Sequence, residues 1–305
     1  MEERPWLSLC IPTYNRAEVL DRTLRALFDD PDFDPRKIEV VVCDNCSEDR
    51  TPEVAARYPQ VRYFRNAENI RDANFSQALQ HGRGEYLKLM NDTVRFVPGG
   101  LKLMLDTVGR HLATRGPLFL YEWNRSRQPE TVVCPDVGSF ICEASVRATW
   151  IANFGCWRRD AGVTDDRSGA ALQLLQVVWS IRIAEAGPPP AKICFGHYCT
   201  VAAGTGAAKG GYNVFRVFVA NYLTIVEECL RRGVVSRAQY RKAKSRLFRR
   251  FVARRVVWLL FRSKHITRFD NREAWRIVLE HYGRQPYFYL ITFYKSLHYL
   301  LRGCR

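Results

Sequence analysis

Short apolar runs and longer amphipathic segments alternate along the first 112 residues of the chain. The apolar runs predict strands at Leu7–Ile11, Ile38–Cys43, Val61–Arg65 and Glu85–Met90. The segments between and after them repeat apolar residues at helical spacing and predict helices at Arg16–Phe28, Thr51–Tyr58, Asp72–His81 and Pro98–Leu112. Thr13 or Asn15 is the expected N-cap of the first helix. This alternation predicts the α/β class, with a mainly parallel sheet and helices on both of its faces.

The remainder of the chain changes from mixed to helical character. Three elements are predicted before residue 190, namely strands at Pro117–Trp123 and Phe140–Ala144 and a helix at Leu172–Ala186. Residues 204–211 are rich in glycine and predict a loop. The spacing of these residues does not fit that of a nucleotide-binding P-loop. Beyond this loop, apolar residues at helical spacing predict long helices from Tyr212 to Leu230 and from Ser236 to about Arg262.

Charge is distributed very unevenly along the chain. The formal net charge of +16 lies entirely in residues 212–305, which hold 21 Lys and Arg against 5 Asp and Glu. Together with the length of 305 residues, this predicts two domains, residues 1–211 and residues 212–305. The basic domain is expected to meet an anionic partner, for which membrane phospholipid, a lipid-linked diphosphate and nucleic acid all qualify. The alternative is a basic helical face that is merely solvated.

The sequence shows no segment that predicts export or membrane insertion. No apolar run reaches the roughly 20 residues that a spanning helix needs, and the N-terminus has no basic stretch followed by an apolar one. A cytosolic location is therefore expected. The ten cysteines are expected to be reduced structural thiols. Cys43 and Cys46 are spaced like half of a zinc site, with Cys194, His197 and Cys199 as the other half, but Cys43 ends an apolar strand and the two halves lack the paired spacing of a structural zinc site.

Polar residues follow the first, second and fourth predicted strands, at the point where each strand ends. Ligands of such sheets bind at the carboxyl ends of the strands, so Pro12–Arg16, Asp44–Asp49 and Asn91–Thr93 are expected to form one pocket. For a nucleoside diphosphate compound, Asp44 would accept a hydrogen bond from the base. Asp92 would hold a divalent cation that offsets charge on a departing diphosphate. The alternative for Asp44 is a turn-capping role.

Three motifs in this part of the chain resemble those of a known family. They are LSLCIPTYNR at residues 7–16, EVVVCDNCSEDRT at residues 39–51 and GEYLKLMND at residues 84–92. In order and spacing they are similar to the family-two, GT-A-fold glycosyltransferases across residues 5 to about 112, and most of all to the bacterial abequosyltransferase-like and capsule-polysaccharide members. The resemblance implies a GT-A domain at residues 1–211 followed by a helical region.

The resemblance also implies which residues bind the nucleotide-sugar donor. The first loop would lie along the nucleoside, Asp44 would contact the base, and Arg71 would contact the base or the diphosphate. Asp92 would bind the metal, Mg²⁺ or Mn²⁺. Members typically carry two or three carboxylates at this motif, whereas this chain has one, so Asn91 would be a neutral ligand or contact the ribose. The implied donor positions are Pro12, Thr13, Tyr14, Arg16, Asp44, Arg71, Asn91 and Asp92.

The family inverts the anomeric centre and uses one general base on the acceptor hydroxyl. That base normally lies well after the metal motif, which makes Asp160, Asp165 and Asp166 the nearest candidates. Asp166 is the preferred one and Asp165 the second choice, although a capping role at a helix N-terminus is the alternative for Asp166. A contact of His197 with the diphosphate or metal is a further possibility, against a structural role.

The resemblance implies a hexosyltransferase-type enzyme of bacterial capsule or O-antigen biosynthesis. Its donor would be a UDP-, GDP- or dTDP-sugar, and its acceptor a polysaccharide or a glycan on polyprenyl diphosphate. The basic helix, with Arg241, Lys242, Arg246, Arg249 and Arg250, would lie on anionic headgroups. This predicts a peripheral protein at the cytosolic face of the inner membrane. The alternative function is a nucleic-acid-binding protein with a basic helical tail and a non-catalytic α/β domain.

Overall fold

The computed structural model of the chain describes residues 4–122, 128–188, 190–201, 212–266 and 269–301. Contacts between Cα atoms divide these residues into two units. The first comprises residues 4–122, 128–136, 147–170 and 175–201, except residue 189, and the second comprises residues 137–146, 171–174, 212–266 and 269–301. The predicted glycine-rich loop at 204–211 lies outside the described residues, as does residue 211 at the predicted domain boundary.

The strands found among the described residues belong to the first unit. In chain order they are β1 (Leu7–Thr13), β2 (Ile38–Asp44), β3 (Val61–Arg65), β4 (Tyr86–Leu89), β5 (Val94–Phe96), β6 (Leu118–Glu122), β7 (Glu130–Cys134), β8 (Gly155–Trp157), β9 (Ala191–Gly196) and β10 (Cys199–Val201). Each strand predicted before residue 112 is confirmed, with ends that differ by at most two residues.

The helices occur in both units. In chain order the α-helices are α1 (Ala17–Phe28), α2 (Thr51–Ala56), α3 (Ala73–Gln80), α4 (Gly100–His111), α5 (Val137–Ala144), α6 (Leu175–Ala186), α7 (Tyr222–Arg231), α8 (Arg237–Leu247), α9 (Ala253–Leu260), α10 (Ala274–Tyr282) and α11 (Pro286–Leu301). Short 3₁₀ segments cover Ser145–Thr149, Ile151–Asn153 and Arg158–Asp165, and π-helical segments cover Arg216–Asn221 and Phe248–Val252.

The largest sheet has the strand order β3-β2-β1-β4-β8. Its first four strands are parallel and β8 is antiparallel to β4. Every residue of β1 is buried, as expected for a central parallel strand that is covered on both faces. The register pairs Thr13 with Asp44, so the carboxyl ends of β1 and β2 lie side by side. The predicted α/β class is confirmed.

Two small sheets complete the first unit, with the orders β6-β9-β7 and β10-β5. The predicted strand at Phe140–Ala144 is wrong, because these residues belong to the helix α5. A short apolar run has no period that distinguishes a strand from a buried helix. Gly138 allows this helix to pack closely against Gln239, since an added Cβ atom would lie 2.3 Å from that side chain.

The second unit is a helical bundle with an aromatic core. The long helix predicted from Ser236 is confirmed as α8, a π-helical segment and α9 in succession, and Ser236 and Gln239 form a capping box at its start. Phe248 packs against the rings of Tyr282 and Phe288 at centroid distances of 5.0 and 5.7 Å. Since π-helical turns shift the side chains that follow, the apolar stripe continues on a rotated face.

Lys88 is a buried cation in the middle of the large sheet, on β4. Its Nζ atom donates hydrogen bonds to the backbone oxygens of Ala152 and Phe154. Burial lowers the pKa of Lys88 to about 7, against the opposing effects of Cys199 and Glu122. Lys88 therefore ties β4, which leads into the Asn91-Asp92 turn, to the segment that contains Ile151.

We expect the stability of the protein relative to the Lys88→Met variant to rise with pH above about pH 7. The unfolded chain keeps its lysine protonated up to a pKa of about 10.4, whereas the folded chain has lost this proton, so the free energy of unfolding gains up to about 1.4 kcal/mol per pH unit. Below about pH 7 both states are protonated and the difference is constant. Urea unfolding of both proteins from about pH 6 to 9 measures the difference between their free energies of unfolding. A difference that stays constant over this pH range would contradict the prediction.

Candidate active site

A cleft of about 440 Å³ lies at the carboxyl edge of the large sheet, in the first unit. The backbone N–H of Asn45, after β2, donates to the oxygen of Thr13 at the end of β1 (2.9 Å). The backbone N–H of Met90, after β4, donates to the oxygen of Cys10 (2.8 Å). The cleft is lined by Pro12, Thr13, Tyr14, Arg16, Asn45, Asn69, Arg71, Asp72, Asn74, Phe75, Asn91, Asp92 and Ile151. The expected donor positions, with the exception of Asp44, are thus brought together.

Asp92 is the buried negative charge of this cleft, with 3% of its surface exposed. Its Oδ1 atom is 2.9 Å from Nη1 of Arg16, and its Oδ2 atom accepts a hydrogen bond from Thr13 Oγ1 at 3.1 Å. Thr23 Oγ1 donates to the backbone oxygen of Asp92 at 2.5 Å. Burial raises the pKa of Asp92, although Arg16 and Thr13 act in the opposite direction. The carboxylate is therefore held in one orientation by groups from β1 and from the start of α1.

Asn91 supplies a second oxygen beside Asp92. Its Oδ1 atom is buried and has no hydrogen-bond partner among the described residues, although a buried amide oxygen normally has one. Both residues line the cleft. One carboxylate, one neutral oxygen and the phosphate oxygens of a substrate are a donor set that Mg²⁺ or Mn²⁺ accepts. The residues present therefore fit a divalent cation, even though no cluster of three His, Cys, Asp or Glu side chains occurs among the described residues.

Asp44 is enclosed by its own turn and does not line the cleft. Its side chain is fully buried, and Oδ1 accepts hydrogen bonds from the backbone N–H and the hydroxyl of Ser47 at 2.9 and 2.5 Å. Oδ2 accepts from the hydroxyl of Tyr63 at 2.6 Å, and Arg65 lies 3.8 Å away. The expected contact between Asp44 and the base is not supported by this arrangement, because the side chain is enclosed by the turn and does not line the cleft. The turn-capping alternative agrees with the geometry.

The expected N-caps of α1 are wrong. Thr13 is the last residue of β1, and Asn15 has a left-handed backbone (φ 49°) with its side-chain oxygen accepting from the N–H of Glu48. Instead, Oδ2 of Asp49 accepts from the N–H of Ala17 at 2.9 Å, while its Oδ1 accepts from Thr51 at the start of α2. A single carboxylate therefore serves the first turns of two helices, which no local pattern indicates.

A network of asparagines forms one wall of the cleft and was not predicted from the sequence. Asn45 Nδ2 donates to Asn69 Oδ1 at 2.7 Å, and Asn45 Oδ1 accepts from the N–H of Ile70 at 2.9 Å. Asn66 Nδ2 donates to Asn74 Oδ1 at 2.9 Å, and Asn74 Nδ2 donates to the oxygen of Cys43 at 2.9 Å. The asparagines that recur after β3 were the signal that the sequence offered. Their spacing could not show that they bond to Asn45 in the loop after β2.

Arg71 and Asp72 lie beside this network at the start of α3 and face the cleft. Arg71 has a left-handed backbone (φ 53°), and its N–H donates to Asn69 Oδ1 at 2.9 Å. Burial raises the pKa of Asp72, which Arg71 opposes. Asp72, which the sequence pattern did not single out, is therefore a carboxylate placed to accept a proton or a hydrogen bond from a ligand.

The expected general bases are not brought into the cleft. Asp166 closes a turn by accepting from the N–H of Ser168 at 2.8 Å, and its Oδ2 lies 3.3 Å from Nε of Arg182. Burial raises its pKa, but Ser168 and Arg182 outweigh this and lower it. Asp165 accepts from Nε2 of Gln80 and lines a separate cavity. The helix-capping alternative for Asp166 also fails, since α6 begins only at Leu175.

The remaining candidates for metal or redox chemistry have structural surroundings. Cys43 is buried in β2, and burial raises the pKa of its thiol to about 12. Nδ1 of His197 lies 2.6 Å from Oε1 of Glu122, whose other oxygen accepts from the N–H groups of Tyr198 and Cys199. His197 does not line the cleft at Asp92.

The sheet and its cleft define the class of the protein. A mainly parallel sheet with arginines, amides and one buried aspartate at its carboxyl edge has the architecture of a GT-A glycosyltransferase. Residues 8–130 match the family model described as Glycosyl transferase family 2. The match covers all three motifs apart from Leu7, and the resemblance inferred from them is thereby confirmed for this part of the chain.

The chain matches curated relatives in part of their length. It is 34% identical over 87 residues to abequosyltransferase RfbV of Salmonella typhimurium, which is 26% of each chain. It is 26% identical over 109 residues to the GalNAc(5)-diNAcBac-PP-undecaprenol beta-1,3-glucosyltransferase of Campylobacter jejuni, covering 33% of this chain and 34% of the relative. The match thus spans about a third or less of the length of these relatives.

Solved structures agree over more of the chain. The S. aureus TarS fragment 1–349 in complex with UDP has a TM-score of 0.54 at 15% identity, covering 92% of this chain and 81% of that one. Mannosyltransferase PcManGT from Pyrobaculum calidifontis, in complex with GDP-Man and Mn²⁺, has a TM-score of 0.51 at 17% identity, covering 97% and 88%. At these identities the likeness establishes the GT-A fold alone. Nothing in the comparisons favours the nucleic-acid alternative.

Proposed function

We propose that the protein is an inverting glycosyltransferase that moves a sugar from a nucleoside diphosphate to a hydroxyl of a glycan or lipid-linked glycan. The observation that carries the proposal is the cleft in which Asp92, Arg16 and Asn91 meet at the ends of β1 and β4. In the reaction the acceptor oxygen forms a bond to the anomeric carbon. The bond from that carbon to the phosphate oxygen breaks, the nucleoside diphosphate leaves, and the hydroxyl proton goes to a base.

The diphosphate is assigned to the two arginines of the cleft. Arg16 and Arg71 come from different loops and both line it, and guanidinium groups bind phosphate oxygens through paired N–H donors. Tyr14 is 41% exposed at the cleft and offers a ring beside the nucleoside. We assign the hydrogen bond to the base to Asp72 and the neighbouring asparagines, and we assign to Asp44 the support of the loop that holds Asn45.

A divalent cation, Mg²⁺ or Mn²⁺, is assigned to Asp92 Oδ1 or Oδ2 and Asn91 Oδ1. When bound, it supplies Lewis-acid stabilisation of the charge that develops on the leaving diphosphate. Arg16 lies on the same carboxylate and adds a fixed positive charge at this point, so the transfer is expected to depend on both groups. The mannosyltransferase structure in complex with GDP-Man and Mn²⁺ supports this assignment.

The acceptor is proposed to be a lipid-linked glycan of bacterial surface-polysaccharide assembly, on the cytosolic face of the inner membrane. Two names support this proposal. The Campylobacter relative is named for a substrate, GalNAc(5)-diNAcBac-PP-undecaprenol, and the Salmonella relative is named an abequosyltransferase. Within the described ranges, no helix combines the length and apolar character that crossing a bilayer requires.

We expect UDP, GDP or dTDP to raise the melting temperature of the protein, and Mn²⁺ to increase the effect. At about a hundredfold excess over Kd, a ligand that binds only the folded state adds about 2.7 kcal/mol, which corresponds to about 5 °C or more. Thermal-shift measurements with the three diphosphates, with and without Mn²⁺, test this. A panel in which none of the diphosphates shifts the melting temperature would contradict the proposed function.

Two variants of Asn91 test the metal assignment directly. Asn91→Leu removes the neutral oxygen and is expected to weaken Mn²⁺ binding about tenfold, whereas Asn91→Asp adds a second carboxylate and is expected to strengthen it. The electron paramagnetic resonance signal of free Mn²⁺, recorded in the presence of the nucleotide that binds, reports affinity without any transfer. Equal Mn²⁺ affinity in wild type and both variants would remove Asn91 from the site.

A further inference from the structure

The helix α11 leaves a continuous row of large apolar side chains in solvent. Leu290, Phe293 and Tyr294 are 72%, 73% and 68% exposed. The row follows the helical repeat along almost the whole element, and its members are Tyr289, Leu290, Phe293, Tyr294, Leu297, Leu300 and Leu301. Exposed apolar groups are ordinary singly, but a contiguous face of this kind marks an interaction surface.

The opposite side of α11 is fixed within the second unit. Phe288 is buried against Phe248, and Tyr299 stacks on Phe261, which follows α9, with a centroid distance of 5.0 Å. Trp275 and Leu279, on α10, are also exposed. One face of α11 therefore packs within the second unit, and the opposite face, with the apolar row, is exposed to solvent.

The segment that contains this row is basic. Residues 281–301 contain Arg284 and Lys295 and no Asp or Glu, and the sequence continues with Arg302 and Arg305. A second copy of the chain, docked through the same face, would bring these cations together. An anionic surface instead complements them. The basic residues that were expected to lie on lipid are partly used elsewhere, since Arg246 and Arg250 both bind Glu143 within the second unit.

We propose that the exposed face of α11 lies in the plane of an anionic lipid bilayer, with its aromatic and leucine side chains among the acyl chains and the basic residues that flank the helix at the headgroups. An in-plane helix of this kind needs one apolar face and flanking cations, and it does not need the length of a spanning helix. This rests on the proposed function and deepens it by naming the element that brings the enzyme to a lipid-linked acceptor, and it is independent of α8.

Sedimentation with vesicles tests the proposal. We expect the full chain to bind vesicles of phosphatidylglycerol and phosphatidylethanolamine. The Leu290→Gln/Phe293→Gln variant is expected to bind them at least about tenfold more weakly, because it lacks two apolar side chains that would enter the acyl region of the bilayer. The matched control is Val133→Gln/Val201→Gln, which removes two exposed apolar side chains of the first unit. Binding of this control is expected to equal that of the wild type. Circular dichroism checks that each variant remains folded.

The outcomes separate this proposal from the proposed function. Equal binding of wild type and the α11 variant overturns it, and so does equal binding to phosphatidylcholine vesicles, which lack the negative charge. A dimer in analytical ultracentrifugation that the α11 variant dissociates, together with no vesicle binding, also overturns it and assigns the face to a second copy. Nucleotide binding is measured without vesicles, so failure of α11 leaves that result unaffected.

Discussion

Replacing Asp92 with asparagine is expected to lower the transfer rate about a hundredfold to a thousandfold while the domain remains folded. Loss of one preorganised electrostatic group at a developing charge typically costs this much. The substitution keeps the shape of the side chain and an oxygen that can accept from Thr13, but it removes the charge that Arg16 contacts and that a divalent cation would require. Release of nucleoside diphosphate from the donor that binds, with Mn²⁺ and acceptor present, measures the effect.

The control for this variant is Asp106→Asn. Asp106 lies on α4 in the same unit, is paired at the surface with Lys102, and does not line the cleft, so its loss is expected to change the rate less than about twofold. Activity of Asp92→Asn within a few fold of the wild type, in a sample with normal nucleotide binding, would remove Asp92 from the chemistry. An unfolded variant is distinguished by its circular dichroism spectrum.

The large sheet could be predicted from the sequence because its signal is local. Each central strand is a short apolar run bounded by polar residues, and β1, β2, β3 and β4 were predicted at nearly their observed ends. Strands such as β8, with three residues, and β9, which is interrupted by Lys192, carry too little pattern. Their place is set by pairing with β4, β6 and β7, and this pairing is not local.

The site was predictable where a loop follows directly from a strand. The carboxyl ends of β1, β2 and β4 must meet at one edge, so the approach of Thr13 to Asp92 followed from topology. Topology did not predict which groups each carboxylate contacts at that edge. The hydroxyl groups of Tyr63 and Ser47 enclose Asp44, whereas Asp72 faces the cleft, and neither outcome is visible in the local sequence.

The surroundings of Asp44 predict a large loss of stability when its side chain is removed. Replacing Asp44 with alanine leaves the Ser47 N–H, the Ser47 hydroxyl and the Tyr63 hydroxyl without their acceptor in a buried turn. Each unsatisfied buried group costs about 1–3 kcal/mol, so we expect the free energy of unfolding to fall by about 3–5 kcal/mol. Urea unfolding measures it, and Glu48→Ala, in the exposed part of the same loop, is expected to stay within about 0.5 kcal/mol.

The same residue distinguishes support of the loop from recognition of the base. If Asp44 only positions the loop through Ser47, then Asp44→Asn weakens binding of UDP, GDP and dTDP by the same factor, whereas Asp72→Asn changes their ratio. Asp72 is the carboxylate that faces the cleft, and a change from acceptor to mixed amide alters which base edge it fits. Calorimetric titration of each variant with the three diphosphates gives these ratios. An altered ratio in Asp44→Asn alone would restore direct base contact to Asp44 and require its turn to open on binding.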